Sequence, residues 1–213
     1  MKVGILGSGD VGKALGRGFI ALGHSVVMGA RDAGNPKAAA WVKEAGPKAS
    51  AGTFKDAATA GEIVVLATLG TATEDILRSI GPDPFKGKSV LDATNPLDFS
   101  KGAPRLVGGV GDSGGERHQK LLPGAHVVKA FNTVGNAFMF RPEFPGGPPD
   151  MFLCGNDEGA KKSVAAICKD FGWAVIDLGG IDAAHFLEAM CMVWVLSAMK
   201  TNAWSQAFKM LRK

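Results

Sequence analysis

The motif with the clearest chemistry is Gly7-Ser8-Gly9-Asp10-Val11-Gly12, which matches the pattern G-x-G-x-x-G. An apolar run precedes it and apolar residues at helical spacing follow it, so a strand leads into the motif and a helix leaves it. Glycines at these positions permit a tight turn, a close approach of backbone amides to a pyrophosphate, and packing of the helix on the strand. The start of the helix adds free N–H groups and a partial positive charge. The six residues therefore predict a dinucleotide site.

Arg31 follows the second predicted strand and favours NADP over NAD. A guanidinium binds a 2′-phosphate through bidentate charge-assisted hydrogen bonds, and the small residue Ala30 leaves space beside it. Lys37 would add a second positive charge. An NAD site usually has an acidic residue at this point. Asp32 keeps that alternative open, because an inward-pointing carboxylate would bind the ribose hydroxyls instead.

Two later strand ends are expected to complete the cofactor site. Small and hydroxyl-bearing residues at the carboxyl ends of parallel strands let backbone groups reach a ribose and a nicotinamide amide. The dipeptide Asn95-Pro96 also fixes a turn there. The residues assigned on this basis are Ala67, Thr68, Leu69, Ala93, Asn95 and Pro96.

The remaining reactive side chains do not suggest a catalytic set, so no catalytic residue is assigned. The four histidines are scattered, and only His118, beside a glycine-rich segment, is placed where it could approach a substrate. A local polar contact is expected for His185 and Glu188 at the start of the last helix. The three cysteines are odd in number and form no CxxC pair, so we expect buried free thiols and no metal site.

These motifs need a scaffold of alternating strands and helices. Apolar runs predict strands at 2–7, 25–28, 63–67, 89–93, 125–130, 151–154 and 173–177, with helices between them and a helical pattern from 183 to the end. This alternation is typical of an α/β fold with a doubly wound, mainly parallel Rossmann-type sheet. We expect a dinucleotide-binding domain at 1–182 and a short C-terminal helical extension at 183–213, packed together as one compact unit.

Composition excludes several classes of protein. The hydrophobic fraction of 46% and the charged fraction of 21% exclude a disordered chain, and the 30 glycines follow no collagen period. Six of them lie in residues 100–115, which we interpret as a mobile lid. The net charge of +4 without a basic block gives no reason to expect a nucleic-acid partner. The uncharged stretch 189–199 is too short to span a bilayer, so we expect a cytoplasmic protein without a membrane partner.

With these segments placed, the chain resembles the coenzyme F420-dependent NADP oxidoreductases. It is also similar to the NADPH-oxidising cytoplasmic domain of the metalloreductases called six-transmembrane epithelial antigens of the prostate. The resemblance runs along nearly the whole chain and rests on residues 3–10, 29–31, 35–37, 92–96, 127–132, 154–157, 179–181 and 187–188. Family members commonly have serine at the position of Ala30. The resemblance implies that NADP(H) is held by Ser8, Gly9, Asp10, Val11, Arg31 and Lys37.

The resemblance further implies a second flat redox ring, F420, FMN or FAD, stacked on the nicotinamide. It implies acceptor contacts from Leu97, Asn132, Val134, Gly135 and Leu196. It points to the soluble version of the domain, because no transmembrane region follows Lys213. The last helix is apolar nearly all round, and we expect it to be buried as core, as a homodimer contact or as the wall of a cofactor pocket.

Three functions remain open at this point. The first is hydride transfer between NADP(H) and a deazaflavin or flavin. The second is reduction of an imine or a hydroxy acid on the same nucleotide domain. Enzymes of that kind usually have a large helical substrate domain, and the short chain after Asp182 counts against it. The third is a non-catalytic NADP-binding sensor.

Overall fold

The computed structural model describes residues 1–211 and 213 and is built around an eight-stranded sheet. Within the described residues the strands are β1 Lys2–Leu6, β2 Ser25–Ala30, β3 Ala49–Thr53, β4 Ile63–Leu66, β5 Ser89–Asp92, β6 Leu97–Asp98, β7 Arg105–Leu106, β8 His126–Lys129, β9 Asp150–Gly155 and β10 Ala174–Asp177. The α-helices are α1 Asp10–Ala21, α2 Pro36–Ala45, α3 Phe54–Ala60, α4 Gly70–Ile80, α5 Gly114–Leu121, α6 Glu158–Asp170 and α7 Ala184–Thr201.

The sheet order places the end of β1 at the centre of the ligand-binding edge. The order is β10-β9-β8-β5-β4-β1-β2-β3. The six neighbouring strands β8, β5, β4, β1, β2 and β3 are parallel. Strand β9 is antiparallel to β8, and β10 runs parallel to β9. The chain turns from β1 to β2 on one side and to β4 on the other, which is the switch point where such sheets bind ligands. The predicted Rossmann-type fold is therefore confirmed.

Two elements in the first half of the chain escaped sequence analysis. Strand β3 and helix α3 fill the gap between α2 and β4. The strand, with sequence ASAGT, has no apolar run, and α3 is a short helix packed against β1 and β2. Thr53 forms a capping box with Asp56 at the start of α3, and this pair was the available signal.

The interpretation of residues 100–115 as one loop was wrong. Strand β7 lies inside this segment and pairs with β6 as a two-stranded hairpin. The last glycines of the segment, Gly114 and Gly115, begin α5, because Ser113 and Glu116 form a capping box there. The helical prediction to the end of the chain was also wrong, since α7 ends at Thr201 and the described residues after it are irregular.

The core covers both faces of the sheet. Helices α1, α2 and α6 pack on one face, where Phe19, Phe131, Phe171 and Trp173 form a cluster of edge-to-face rings. A Cβ at Gly18 of α1 would strike the ring of Phe171, so this position has to be glycine for the helix to pack. Helices α3, α4 and α7 cover the opposite face. The helices thus hold the carboxyl ends of the strands in fixed relative positions.

Within the single chain, helix α7 is buried on one face only, so it is not entirely a core helix. Its large apolar residues Phe186, Val193, Leu196 and Met199 are each more than half exposed, while the other face packs on the protein. By length and composition alone, residues 181–201 would suffice to cross a membrane. A core helix passes the same test, and 44% of this window is buried in the protein.

The residues after α7 fold back onto it. The indole Nε1 of Trp194 donates to the carbonyl of Gln206, and the Gln206 amide donates to the carbonyl of Trp194, at 2.8 and 2.7 Å. Further along, the Asp150 amide at the start of β9 donates to the carbonyl of Phe208. The C-terminal segment therefore connects α7 to the start of β9.

Candidate functional site

The turn after β1 has the shape that the glycine motif requires. Gly7 has a φ of +128°, which L side chains rarely adopt, and a Cβ there would strike the carbonyl of Ala67. A Cβ at Gly12 would collide with the carbonyl of Gly7, so helix α1 can lie this close only with glycine. At Gly9 a Cβ would meet nothing within 4 Å. The turn is thus packed on the protein side and open on the side where a ligand would lie.

Helix α1 begins with its N–H groups free for a ligand. No side chain caps it, whereas α2, α3, α5 and α6 are capped by the side chains of Asn35, Thr53, Ser113 and Asp157. Lys13 makes the first bond to Gly9, at 2.9 Å, so the amides before it need an external acceptor. A pyrophosphate fits these donors and the helix dipole. Asp10 is exposed and can assist an anion only through its backbone amide.

The end of β2 brings the expected 2′-phosphate residues next to this turn. Arg31, Asp32 and Lys37 are exposed, and Ala30 is buried. Among the described residues, Arg31 and Lys37 have no ion-pair partner. Asn35 accepts hydrogen bonds from the amides of Lys37 and Ala38, and Ser8 Oγ lies 3.4 Å from the Asn35 side-chain oxygen. The phosphate turn and the cationic residues therefore share one edge.

A groove of about 200 Å³ opens between the ends of β4 and β5. Thr68 Oγ1 lies 2.8 Å from Thr73 Oγ1, which orients the hydroxyl at its edge. None of the side chains lining the groove is ionisable near neutral pH. The residues that line it are Val11, Ala67, Thr68, Leu69, Gly70, Ala93, Thr94, Asn95, Leu97 and Phe99. It thus gathers Val11, Leu97 and five of the six residues assigned at the two strand ends, whereas the sixth, Pro96, does not line it. Phe99 also lines the groove and lies outside every segment that sequence analysis assigned to the site.

The other four residues expected at the acceptor are not brought into this groove. Asn132 lies behind it, where its amide donates to Asn95 Oδ1 and to the carbonyl of Leu187, both at 2.9 Å. Val134 is buried, and Gly135 lies at a separate cavity beside Trp204. Leu196 is on the exposed face of α7. Asn132 can therefore act on a ligand only through Asn95.

A buried ion cluster lies beneath the groove. Lys129, at the end of β8, is fully buried, and its Nζ lies 3.0 Å from Asp92 Oδ2 and 3.2 Å from Glu188 Oε1. The same ammonium donates to the carbonyl of Thr94 at 2.8 Å. His118 Nδ1 donates to Asp92 Oδ2 at 2.9 Å, because an ionised carboxylate can only accept. Strands β5 and β8 are thereby joined to helices α5 and α7.

The cluster determines the charge state of its members. Burial alone would raise the pKa of the Asp92 carboxyl. The charges of Lys129 and His118, with hydrogen bonds from His118 and Thr94, outweigh burial and hold this pKa well below its ordinary value. Burial alone would lower the pKa of Lys129, but Asp92 and Glu188 raise it. Asp92 and Lys129 therefore stay ionised inside the protein.

Two expectations about single residues were wrong at this cluster. His118 does not approach a substrate, because it is buried on Asp92. Glu188 does not form a local contact at the helix start, since its oxygens accept from the amides of Gly114 and Gly115 at 3.1 Å. The available signals were a lysine in an otherwise apolar strand and a glutamate in an apolar helix.

The thiols are unsuited to chemistry at neutral pH. The three cysteines are free and buried. Burial raises the pKa of Cys154 and of Cys191 to about 12, and it raises that of Cys168 as well. Among residues 1–211 and 213, no three His, Cys, Asp or Glu side chains are grouped so as to hold a metal ion.

Comparison with known proteins places these features in context. Residues 2–96 match the family model described as NADP oxidoreductase, coenzyme F420-dependent. The chain is 30% identical to the F420-dependent NADP reductase of Methanocaldococcus jannaschii, over 89% of each chain. It is also 30% identical to metalloreductase STEAP3 of Rattus norvegicus, where it spans only 36% of that protein.

Solved structures agree with this result. A putative F420-dependent NADP-reductase from Arthrobacter sp. FB24 superposes with a TM-score of 0.93, with 36% identity over 100% of both chains. An imine reductase from Aspergillus terreus gives a TM-score of 0.67 at 21% identity, over 93% of this chain and 61% of that one. The latter likeness shows the shared fold alone.

The lowered pKa of Asp92 makes stability depend on pH. A carboxyl whose pKa is lower in the folded than in the unfolded protein stabilises the fold above about pH 4, and this contribution is lost as the pH falls further. We expect Asp92→Asn to reduce the free energy of unfolding by about 3 kcal/mol at pH 7, because Lys129 loses a buried counter-charge. In urea titrations this deficit should shrink below about pH 4.

The exposed residue Asp83 provides the control. Asp83→Asn should follow the wild type within about 0.5 kcal/mol at every pH. An Asp92→Asn deficit that is absent, or that stays constant from pH 7 to acid, would contradict the assignment.

Proposed function

We propose that this chain, which belongs to the coenzyme F420-dependent NADP oxidoreductase family, transfers hydride between NADP(H) and a planar deazaflavin or flavin ring. The family makes it an NADP-dependent oxidoreductase. The acceptor is our proposal, with F420 first and FMN or FAD as the other rings of the same shape. The proposal rests above all on the chemistry of the groove lining.

The groove offers orientation but no acid or base. Its polar groups are threonine hydroxyls, one asparagine amide and backbone atoms. When bound, the nicotinamide supplies the hydride chemistry itself. A carbonyl or imine acceptor also needs a proton on oxygen or nitrogen, which enzymes usually supply from a positioned acid. A conjugated ring can take the proton from water after the transfer. The lining therefore favours a ring acceptor over an imine or a hydroxy acid.

The cofactor contacts follow from the positions of the residues. The free amides at the start of α1 would hold the pyrophosphate, with Ser8 beside them. Arg31 and Lys37 would hold the 2′-phosphate, and Ala30 would contribute space but no hydroxyl. The ends of β4 and β5 would contact the ribose and the nicotinamide through Ala67, Thr68, Leu69, Ala93 and Asn95, which line the groove. Pro96, which is outside the groove lining, would fix the turn there. Leu97 would face the acceptor.

The exposed face of α7 supports a homodimer. Phe186, Val193, Leu196 and Met199 recur at helical spacing, and the exposed stripe carries no acidic residue before Lys200. An uncharged apolar stripe is self-complementary about a twofold axis, as isologous dimers require. We therefore propose a second copy of this chain as its partner. We also propose a cytoplasmic location, with no nucleic acid or membrane bound, in keeping with the modest net charge of +4.

Arg31→Glu tests the 2′-phosphate contact. Reversing this charge should weaken NADPH binding by about 10- to 100-fold, the range for a lost charge-assisted hydrogen bond. NADH binding should change little or improve. The measurement is titration of nucleotide fluorescence, and the matched control is the exposed Lys162→Glu on α6. Unchanged NADPH affinity would overturn the assignment and leave Asp32 as the determinant of an NAD site.

Turnover tests the proposed reaction. Purified protein with NADPH should reduce F420, FMN or FAD, followed by the absorbance of the oxidised acceptor. The single-turnover rate should vary less than about twofold between pH 6 and 9, because no groove residue titrates there. A bell-shaped profile with an imine or carbonyl acceptor would support the imine-reductase alternative. Tight NADPH binding without turnover would support the sensor.

Light scattering tests the dimer. The wild type should have about twice the mass of the 22.0 kDa chain. Leu196→Glu should produce monomers, since it places two charges in a symmetric apolar interface. Val110→Glu, a change at an exposed apolar residue in the turn between Gly109 and Asp112, should remain dimeric. A monomeric wild type would contradict the proposal.

A further inference from the structure

The β6–β7 hairpin forms a regular, hydrogen-bonded part of the groove wall. Leu97 pairs with Leu106, and Asp98 with Arg105. The amide of Val107 donates to the carbonyl of Pro96 at 2.8 Å, which extends the pairing beyond the strands. The hairpin thus begins directly after the turn that follows β5, and this turn lines the groove.

The chain after the hairpin is also held to the rest of the protein by hydrogen bonds. Gly109 and Asp112 form an isolated bridge, and Arg117 of α5 donates to the Asp112 carbonyl and to Glu74 of α4. The start of α5 is held by Glu188 through two backbone amides. The glycine content of this segment follows from its turns, since Gly102, Gly108 and Gly111 all have positive φ.

Two large apolar side chains stand at the mouth of the groove. Leu69, before α4, is 64% exposed, and Phe99, just after β6, is 55% exposed. Both also line the groove. Exposed apolar side chains that rim a concave site are typical of ligand contacts. Val110, in the turn between Gly109 and Asp112 after the hairpin, is 85% exposed but does not line the groove.

We propose that Phe99 determines which acceptors this enzyme takes, by contacting the face or edge of a planar conjugated ring held at the groove mouth opposite Leu69. This inference rests on the proposed function. It goes beyond it in placing acceptor selection on the hairpin rather than on the residues that hold the nucleotide.

The physical basis is the size and shape of the contact. Phe99 is 55% exposed and lines the groove, so a fused aromatic ring held at the groove mouth would bury more of its apolar surface. Stacking of a flat heterocycle on an aromatic side chain has a free energy worth about a 5- to 100-fold change in affinity when the side chain is removed. A small imine or hydroxy acid has too little flat surface to gain this contact.

Kinetics of the hairpin variants test the inference with NADPH as donor and F420, FMN and riboflavin as probes. Phe99→Ala should raise, at least fivefold, the KM for whichever oxidised probe the wild type reduces. NADPH affinity should change less than about twofold, because the residues proposed to hold its phosphates, Ser8, Arg31 and Lys37, do not line this groove. Phe99→Trp should retain a KM close to that of wild type, whereas Phe99→Leu, apolar but not flat, should resemble Phe99→Ala. Val110→Ala is the matched control and should match wild type.

The outcomes separate the two levels of the proposal. If the wild type reduces a ring acceptor and Phe99→Ala leaves its KM unchanged, the inference fails and the proposed function stands. If Phe99→Ala weakens NADPH binding as much as acceptor binding, Phe99 belongs to the nucleotide site and the inference also fails. If the wild type reduces none of the probes, the proposed function fails and the inference fails with it.

Discussion

The buried ammonium of Lys129 is the interaction on which the site depends. It is the central cation of a cluster that includes two buried carboxylates, Asp92 and Glu188, and it lies where four elements meet. Removing one member of such a cluster typically costs about 3–5 kcal/mol, because a charge is left buried without a partner. Since Lys129 also binds the carbonyl of Thr94, the same charge fixes the backbone that forms the groove floor.

The ion cluster and the groove have different roles: the cluster holds the structure, and the groove offers a surface to a ligand. Every ionisable group near the floor is engaged in holding the structure, and the surface offered to a ligand has none. Asn95 illustrates the arrangement, because its side chain exchanges hydrogen bonds with Asn132, which in turn is held by the carbonyl of Leu187 in α7. The result is a rigid, uncharged floor next to an edge that favours anions, because it carries Arg31, Lys37 and the free amides at the start of α1. In the proposed function, such a site would orient two rings and leave the hydride chemistry to them.

Local signals in the sequence were sufficient to predict the glycine turn between β1 and α1. The turn at Gly7 could be predicted because glycine spacing, strand and helix all lie within one short segment. The ion cluster could not, since Asp92, Lys129 and Glu188 are distant in sequence and each resembles a surface residue that happens to lie in an apolar run. Strand β3 carries no apolar pattern because it is an edge strand of small residues. The proposed role of Phe99 depends on a hairpin of two-residue strands, which is too short for a periodic pattern in the sequence to predict it.

The central claim is that the fixed floor presents the nicotinamide to the acceptor in one orientation and that hydride passes directly between the rings. Isotope transfer measures this most directly. NADPH carrying deuterium at one or the other face of C4 should be reacted with F420 in ordinary water, and the reduced F420 analysed by mass spectrometry. We expect one face alone to deliver its deuterium, retained quantitatively in the reduced ring. Deuterium from both faces, or hydrogen from water in its place, would contradict the claim.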